Sequence, residues 1–237
     1  MNPAPRALSL DLDDTLWPIW PVIERAEAAL DRFLRERCPR TAEKFPVPKM
    51  RELRNRVAGE YPQYAHDFTR QRKLSLLQAL RESGDDEVHA EDAFDAFYAA
   101  RNAIEFYPDA LAALARLSAR LPVAALTNGN ADLQRIGIAG HFAAFVAARD
   151  EGHAKPDAPI FHATCARLGV APHELLHVGD DPELDIAGAQ RAGVRSCWIN
   201  RGNAAWPEHL PQPELEFATL TALADWLDAQ HVFLENA

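Results

Sequence analysis

The sequence predicts an α/β fold: a parallel β-sheet with helices on both faces, and a helical segment inserted after the first strand. Two observations carry this prediction. From residue 108 onward, short apolar segments alternate with segments of amphipathic helical spacing, which is typical of βαβ units. A further apolar segment, residues 7–11, precedes about a hundred residues of mainly helical pattern. This early strand has to join the later ones, because an isolated strand cannot satisfy its backbone hydrogen bonds.

The elements follow from apolar periodicity and from loop composition. After the strand at 7–11, apolar residues at helical spacing predict helices at 22–37, 50–58, 67–80 and 91–101, with loops at 38–49 and 82–88. The alternating region predicts strands at 122–127, 145–148, 175–179 and 194–199, and helices at 109–120, 131–136, 157–169 and 183–193. A loop at 202–213 and a helix at 220–229 complete the chain. We therefore expect a core of residues 1–16 and 103–237 and a helical insert of residues 17–102.

Composition narrows the class of protein. The 237 residues are 48% hydrophobic, which supports a packed core, and the net charge of −10 argues against nucleic acid or an anionic membrane as a partner. The three cysteines have no CxxC spacing, so neither a disulfide framework nor a zinc site is predicted. A carboxylate follows too soon after the N-terminus for a signal peptide, and we expect a cytoplasmic protein. Nothing in the pattern predicts an oligomeric state.

Polar and charged residues follow the apolar strands at the point where each strand ends. Asp11 and Asp13 follow the first strand, Thr127 and Asn128 end the second, and Asp180 follows the fourth. Because ligands of open parallel sheets bind beyond the carboxyl ends of the strands, we expect these side chains to converge. Lys155, in the loop before the helix at 157–169, joins them as the one cation. Clustered carboxylates need a counter-charge, and oxygen ligands of this kind favour Mg²⁺.

A phosphate ester is the substrate that such a site suits. Asp11 is the candidate nucleophile, and Asp13, on the same side of an extended chain, is the candidate general acid and base. Thr127 and Asn128 are expected to donate hydrogen bonds to phosphoryl oxygens, and Lys155 to balance the transition-state charge. By the same alternation, Asp14 is expected to point away, and Thr15 to hold the loop.

The three acids after the fourth strand are expected to have different roles. Asp181 precedes a proline and fits a helix N-cap, which makes Asp180 the better metal ligand. Asp185, one turn later, is expected to hold Lys155 or a metal-bound water, and Asp181 and Asp185 are assigned to the surroundings of the metal. Gly179 is expected to permit a tight turn before Asp180.

Four motifs in this order, "DLDDT", "LTNGN", "AKPD" and "HVGDDPELD", resemble the haloacid dehalogenase superfamily of hydrolases. The resemblance implies a Rossmann-like core and an aspartyl-phosphate intermediate at Asp11. It also implies Mg²⁺ held by Asp11, the backbone carbonyl of Asp13, and Asp180. Leu12, between the two acids, is included with Asp11, Asp13, Thr127, Asn128 and Lys155 among the expected substrate-binding residues. The helical insert would then be a cap that closes over the site.

Within the superfamily, phosphatases resemble this sequence in having an acid at Asp13, whereas dehalogenases lack it. The stretches "YAHDFTRQR", "TNGNA" and "HVGDD" look more closely like bacterial phosphatases of flavin mononucleotide and of 5-amino-6-(5-phospho-D-ribitylamino)uracil. That resemblance suggests substrate contacts from Arg70 and from its neighbours His66, Asp67 and Arg72. The expected activity is Mg²⁺-dependent hydrolysis of a small phosphorylated metabolite.

Three alternatives remain open at the level of sequence. A 2-haloacid dehalogenase or a phosphomutase would use the same superfamily core. A phospho-receiver or non-catalytic binding module of another class would use the same Asp, Thr and Lys set to hold a long-lived acyl phosphate.

Overall fold

The chain folds into two compact units. The computed structural model describes residues 4–235, without the side chains of residues 231–235. The sheet unit comprises Met1–Pro18, Phe106–Gly129 and Gly137–Ala237, and the helical unit comprises Ile19–Glu105 and Asn130–Ile136. The ends of the predicted core range, residues 1–3 and 236–237, lie outside the described residues.

One short segment is assigned differently by sequence and structure. Asn130–Ile136 falls within the predicted core range but lies with the helical unit. Its contacts explain why: Asn102 Oδ1 accepts a hydrogen bond from the Asp132 N–H at 2.7 Å, and the Arg135 guanidinium lies 5.0 Å from the Tyr98 ring centre. These anchors come from residues remote in sequence.

The sheet unit is built on six parallel strands, which confirms the predicted α/β fold with a Rossmann-like sheet. The strands are β1 (Ala7–Leu10), β2 (Val123–Thr127), β3 (Ala144–Ala147), β4 (Leu175–Gly179), β5 (Arg195–Ile199) and β6 (Leu215–Phe217). Their spatial order is β3-β2-β1-β4-β5-β6. β1 therefore lies between β2 and β4, with Leu8 opposite Val123 and Ser9 opposite His177. All four residues of β1 are buried, as expected for a central strand covered on both faces.

Helices of the sheet unit lie between these strands along the chain, and the last helix follows β6. They are α6 (Ala110–Arg120), α8 (Ala148–Glu151), α9 (Ala158–Leu168), α10 (Gly188–Arg191) and α11 (Leu220–Glu235), and α10 is preceded by a π-helical segment, Pro182–Ala187. The strand β6 lies between the predicted loop at 202–213 and the predicted helix at 220–229, where no element was expected, because three residues at a sheet edge carry too little apolar pattern to be recognised. Within the described residues, no helix has the length and apolarity to span a membrane.

The helical unit packs its helices around a separate core. It contains α1 (Ile19–Arg37), α2 (Pro39–Lys44), α3 (Val47–Glu60), α4 (Phe68–Ser83), α5 (Ala90–Arg101) and α7 (Leu133–Ile136). The buried residues include Leu30, Leu34, Leu53, Leu80 and Phe97. The prediction of a loop at 38–49 is wrong, because α2 and the start of α3 lie there. Prolines at the first turns of both helices resemble loop composition in sequence but are compatible with a helix start.

Candidate active site

A buried lysine joins two aspartates at the carboxyl edge of the sheet. Lys155 Nζ lies 2.5 Å from Asp11 Oδ1, at the end of β1, and 2.5 Å from Asp185 Oδ1, in the π-helical segment after β4. Lys155 is 4% exposed and Asp185 is 1% exposed. Charge pairs so shielded from water interact strongly, so these contacts fix the lysine between two strand ends.

Asp185 is held from several sides. Its Oδ1 faces His177 Nε2 at 3.1 Å, and its Oδ2 accepts a hydrogen bond from the Asp181 N–H at 3.0 Å. His177 Nδ1 lies 2.9 Å from the Ser9 hydroxyl, which sits opposite it on β1. Burial lowers the pKa of His177 although Asp185 acts to raise it, so the ring is neutral near pH 7. A neutral ring that faces a carboxylate through Nε2 donates a hydrogen bond from that nitrogen, and its Nδ1 then accepts a hydrogen bond from the Ser9 hydroxyl.

The absence of a side chain at Gly179 leaves the space that the Asp185 carboxylate occupies. The glycine is not among the residues with positive φ. A Cβ placed on it would instead lie 2.2 Å from Asp185 Cγ and 2.3 Å from Oδ2. The turn before Asp180 therefore needs no left-handed backbone at Gly179, and the close approach of a carboxylate is what requires the glycine.

Asp180 lies next to this cluster and is oriented by two neighbours. Its Oδ1 accepts a hydrogen bond from the Thr15 hydroxyl at 2.7 Å, and its backbone carbonyl accepts one from Trp198 Nε1 at 2.8 Å. Thr15 thus holds the loop after β1 to the loop after β4, in agreement with the part expected for it. The carboxylate is brought to the same edge as Asp11.

The electrostatics of the cluster show an excess of negative charge. Burial raises the pKa of Asp11 well above its usual range, against the lowering effect of Lys155, and the charges of Asp185 and Asp180 raise it further. Burial and the charge of Asp185 raise the pKa of Asp180 to about 7. Burial acts to raise the pKa of Asp185, but the Lys155 charge and the His177 hydrogen bond outweigh it and hold that pKa below its ordinary value. Burial acts to lower the pKa of Lys155, yet the charges of Asp11 and Asp185 raise it.

The donor set fits a divalent metal. Asp11, Asp180 and Asp185 each present a carboxylate oxygen within 4.8 Å of the other two. Three acids face one ammonium group, so a cation with oxygen ligands would relieve the repulsion that raises the pKa of Asp11 and Asp180. Asp185 already accepts hydrogen bonds on both oxygens, which leaves Asp11 and Asp180 as the better carboxylate ligands. The backbone carbonyl of Asp13 as a third ligand stays a prediction.

In the loop after β1, the side chain of Asp13 is oriented by a hydrogen bond from Trp17. Trp17 Nε1 donates a hydrogen bond to Asp13 Oδ1 at 2.8 Å, and Trp17 O accepts one from the Asp14 N–H at 2.7 Å. Trp17 is fully buried, with its ring edge-on to Phe106. The loop is therefore closed by backbone and side-chain contacts that orient Asp13.

Asp14 does not follow the alternation of an extended chain. Its φ is 59°, in the left-handed region that aspartate tolerates better than most residues. Its charge adds to burial and to Asp185 in raising the pKa of Asp180. The chain turns at Asp14, so the alternation of an extended strand on which that expectation rested does not apply there, and the direction of the side chain stays a prediction.

Thr127 is the last residue of β2, and Asn128 begins the turn that follows it. The Thr127 hydroxyl oxygen accepts a hydrogen bond from the Gly129 N–H at 2.9 Å, which leaves its own O–H to donate. The Asn128 amide donates to Lys155 O and accepts from the Lys155 N–H, each at 2.8 Å. Asn128 therefore fixes the backbone of Lys155. Phosphate binding by Thr127 and Asn128 stays a prediction.

Three further residues that were expected at or near the site are Leu12, Asp181 and Arg70. Leu12 is fully buried, and its carbonyl accepts a hydrogen bond from the Leu16 N–H at 2.8 Å. Asp181 caps the segment after it, because its carboxylate accepts from the N–H groups of Glu183 and Leu184. Arg70 is exposed on α4 of the helical unit, with its guanidinium 3.8 Å from the Tyr64 ring centre. Substrate contact by Leu12 and Arg70 stays a prediction.

Four residues around the site escaped the sequence-based reasoning: Ser9, His177, Trp17 and Trp198. Ser9 and His177 are polar residues in otherwise apolar buried strands, and that was the available signal. The pairing of Ser9 with His177 follows only from the strand order, because these residues lie opposite each other only when β1 is next to β4. The two tryptophans act through indole N–H groups, whose targets depend on loop geometry.

Comparisons with known proteins agree with this geometry. The profile of the haloacid dehalogenase-like hydrolases matches residues 5–193. The 5-amino-6-(5-phospho-D-ribitylamino)uracil phosphatase YigB of Escherichia coli (strain K12) is 33% identical over 228 residues, 92% of this chain and 94% of that protein. A phosphoserine phosphatase of Thermus thermophilus is 40% identical over 137 residues, 55% of each chain.

Among solved structures, a 2-haloacid dehalogenase from Pseudomonas syringae pv. Tomato DC3000 superposes with a TM-score of 0.88 and 36% identity. The match covers 94% of this chain and 98% of that one. The chain is thus similar over nearly its full length to a protein named as a phosphatase and to one named as a dehalogenase. On its matched sequence, its parallel sheet and its relatives, the chain belongs to the haloacid dehalogenase-like hydrolases and is an enzyme with phosphatases among its full-length relatives.

Proposed function

We propose that this hydrolase is a Mg²⁺-dependent phosphomonoesterase that acts on a small phosphorylated metabolite through an aspartyl phosphate at Asp11. One observation carries the proposal: an acid, Asp13, is held by Trp17 two residues after an aspartate that Lys155 contacts at 2.5 Å. A nucleophile, a proton carrier and a buried cation are the groups that phosphate-ester hydrolysis requires.

In the first step, a carboxylate oxygen of Asp11 attacks phosphorus and the bond from phosphorus to the ester oxygen breaks. Asp13 gives its proton to the departing oxygen, so the alcohol leaves neutral and Asp13 becomes a carboxylate. Lys155 and the Thr127 hydroxyl stabilise the charge on the phosphoryl oxygens. Asn128 supports this step indirectly, because its amide holds the backbone of Lys155.

In the second step, Asp13 takes a proton from a water molecule, which attacks phosphorus and breaks the bond to Asp11. Inorganic phosphate leaves, Asp11 is regenerated, and Asp13 again carries a proton. When bound by Asp11 and Asp180, Mg²⁺ supplies positive charge to a site in which three carboxylates face one lysine. Asp185 holds Lys155 in place throughout, supported by His177.

The ribitylaminouracil phosphate and flavin mononucleotide are the substrates we propose to test first. Support comes from the 33% identity to the Escherichia coli phosphatase over 94% of that protein. Both compounds carry a phosphate on a ribityl chain, so one site can accept the shared part of both. Substrate contact by Arg70 belongs to this proposal.

The test is phosphate release by the full-length chain with Mg²⁺ from a panel that contains both compounds, phosphoserine and p-nitrophenyl phosphate. We expect release that stops with EDTA, and a loss of about a thousandfold or more in Asp11→Asn. The matched control is Asp150→Asn, the same change at an exposed aspartate of the sheet unit, which should retain full activity. Retained activity in Asp11→Asn would contradict the nucleophile assignment, and equal slow rates on every ester would contradict the specific substrates.

The second candidate, 2-haloacid dehalogenase, is favoured by the 36% identity to the Pseudomonas syringae structure. It is tested in parallel by halide release from both enantiomers of 2-chloropropionate. Halide release without phosphatase activity would replace the first proposal. A stable phosphoprotein after acetyl phosphate treatment, without turnover, would instead indicate a phospho-receiver.

A further inference from the structure

The end of strand β5 is connected to the candidate metal ligand Asp180 by two routes. Trp198, within β5, donates a hydrogen bond from Nε1 to the Asp180 carbonyl at 2.8 Å. Arg201, two residues after the strand, donates from Nη2 to the Thr15 carbonyl at 3.0 Å. The hydroxyl of the same threonine donates to Asp180 Oδ1 at 2.7 Å. The first route fixes the backbone of Asp180, and the second leads to its carboxylate.

The guanidinium of Arg201 is itself held in one orientation. Its Nη1 lies 2.8 Å from Asp109 Oδ1 and its Nη2 lies 3.5 Å from Asp109 Oδ2, so the two groups meet side by side. Its carbon Cζ lies 4.0 Å from the centre of the Tyr107 ring. The side chains of Arg201 and Asp109 are only 17% and 16% exposed. Because a guanidinium is planar and its donors point in fixed directions, these contacts also fix the direction of the N–H that reaches the threonine carbonyl.

Asp109 joins this arginine to the ends of two helices. It immediately precedes α6, and its Oδ2 accepts hydrogen bonds from the N–H groups of Leu220 at 2.8 Å and Thr221 at 3.4 Å, at the start of α11. Burial acts to raise the pKa of Asp109, but the hydrogen bond and charge of Arg201 outweigh it and hold that pKa below its ordinary value. The aspartate is therefore ionised near pH 7, and the ion pair is anchored in the framework of the sheet unit.

The loop after β1 is held at two consecutive carbonyls. The Thr15 carbonyl accepts from Arg201, and the Leu16 carbonyl accepts from the Tyr107 N–H at 2.9 Å. Thr15 is fully buried. Its hydroxyl is attached to the backbone through one short, branched side chain, which has few rotamers, so its position depends on where the backbone lies. Contacts that fix this backbone therefore also fix the donor that faces Asp180.

We propose that Arg201 is a positioning residue for the metal ligand: by holding the Thr15 carbonyl, it fixes the hydroxyl that orients the Asp180 carboxylate. This inference rests on the proposed function, in which Asp180 holds Mg²⁺. Removing a hydrogen-bond partner of a metal ligand typically weakens metal binding by about 10–100-fold. Arg201 acts one contact further away than Thr15, so we expect the smaller effect from its loss.

The experiment measures Mg²⁺ affinity without using catalysis. MgCl₂ is titrated calorimetrically into the full-length protein after EDTA treatment and dialysis, and Tm in EDTA reports stability. Arg201→Met keeps an unbranched side chain against Tyr107 and removes the donors, so its Mg²⁺ affinity should fall about fivefold or more. Thr15→Val keeps the shape of the side chain without its hydroxyl and should weaken binding about tenfold or more. Arg201→Lys retains the charge but lacks the fork of donors, and should weaken binding with a smaller loss of Tm.

Arg195 provides the matched control. It lies at the start of β5, is 10% exposed, and contacts both carboxylate oxygens of Glu214 through Nε at 3.1 Å. Arg195→Met and Arg201→Met each remove an ion pair from the sheet unit and should both lower Tm, but only Arg201→Met should weaken Mg²⁺ binding. The double variant with Thr15→Val should bind Mg²⁺ no more weakly than Thr15→Val alone, because both changes break the same connection.

Three results would overturn the proposal. Native Mg²⁺ affinity in both Arg201→Met and Arg201→Lys, or an equal loss in Arg195→Met, would show that Arg201 only stabilises the fold. Independent losses in the double variant would show that Arg201 does not act through Thr15. In both cases the Mg²⁺ binding and phosphate release of the native protein would leave the proposed function intact. A native protein that binds no Mg²⁺ would instead overturn this proposal together with the metal dependence of the proposed function.

Discussion

Lys155 and Asp185 meet through a single oxygen: Nζ of the lysine lies 2.5 Å from Oδ1 of the aspartate, and the same oxygen faces His177 at 3.1 Å. The lysine contacts Asp11 at an equal distance. One buried ammonium group thus neutralises charge on two strand ends at once, and its removal leaves buried carboxylates without their cation.

Replacing Lys155 with methionine should lower the free energy of unfolding by about 3–5 kcal/mol, because it leaves buried acids unpaired. Urea denaturation without metal measures this loss, and added Mg²⁺ should recover part of it. Lys73→Met removes a half-buried lysine whose partner, Glu91, is exposed, and should cost less than about 1 kcal/mol. Equal losses in the two variants would show that the buried pairs contribute no more than a surface pair.

The metal-free protein should lose stability as the pH rises from about 4 to 7. The folded-state pKa of Asp180 is raised to about 7 from 3.8, so the folded state binds more protons than the unfolded state in this window. Stability is therefore greatest below the lower value and falls by up to the order of 4 kcal/mol as Asp180 ionises. The raised pKa of Asp11 acts in the same direction, and the lowered pKa of His177 acts in the opposite direction over the upper part of this range.

Melting temperature against pH in EDTA measures this dependence. Asp180→Asn should flatten the slope between pH 4 and 7, whereas Asp95→Asn, at an exposed position, should leave it intact. Mg²⁺ favours the ionised carboxylate, so its stabilising effect should grow over the same range. A rise in metal-free stability from pH 4 to 7 would contradict the assigned direction.

Gly179→Ala should be strongly destabilising and should abolish activity. The added Cβ would lie 2.2 Å from Asp185 Cγ, so Asp185 would have to move away from Lys155 and His177. We expect a loss of about 3 kcal/mol or more, since overpacking and disruption of a buried ion pair act together. Gly59→Ala is the matched control: nothing lies within 4 Å of its Cβ, and in helix α3 alanine should stabilise by about 1 kcal/mol. Tm and phosphate release check both variants.

Trp17→Phe should lower kcat about 5–30-fold while the protein stays folded, because it removes the indole hydrogen bond that orients Asp13. Trp226→Phe makes the same chemical change in α11, where the indole lies near the Phe217 ring and outside the carboxylate cluster, and should leave kcat unchanged. Steady-state kinetics separate kcat from KM. A change in KM alone would contradict the proposal that Trp17 orients Asp13 for the chemical step.

The fold class and the meeting of the strand-end residues were predictable because both depend on local pattern. Apolar segments identify buried strands, and parallel strands place their carboxyl ends at one edge, so Asp11, Asp180 and Lys155 had to lie near one another. β6 and α2 were missed for local reasons as well: one is very short, and the other is rich in residues typical of loops.

The finer organisation of the site depended on information that the sequence pattern does not contain. The contact of Ser9 with His177 requires β1 to lie next to β4, which alternation alone does not determine. The close approach of Asp185 to Gly179 arises from the π-helical segment, whose backbone differs from the α-helix predicted there. The turn at Asp14 likewise follows from contacts with Trp17 that the alternation rule ignores.

The central place of β1 has a consequence for how the enzyme becomes active during synthesis. Its two neighbours in the sheet, β2 and β4, begin at Val123 and Leu175, so the first strand to leave the ribosome cannot be paired on both sides until residues 175–179 have been made. The contact between Asp11 and Lys155 spans 144 residues of chain. Closing so long a loop costs entropy that only the assembled sheet recovers. The cluster of Asp11, Lys155 and Asp185 is therefore complete only once β4 and the segment after it have joined the sheet, and a nascent chain that carries Asp11 alone lacks the buried cation.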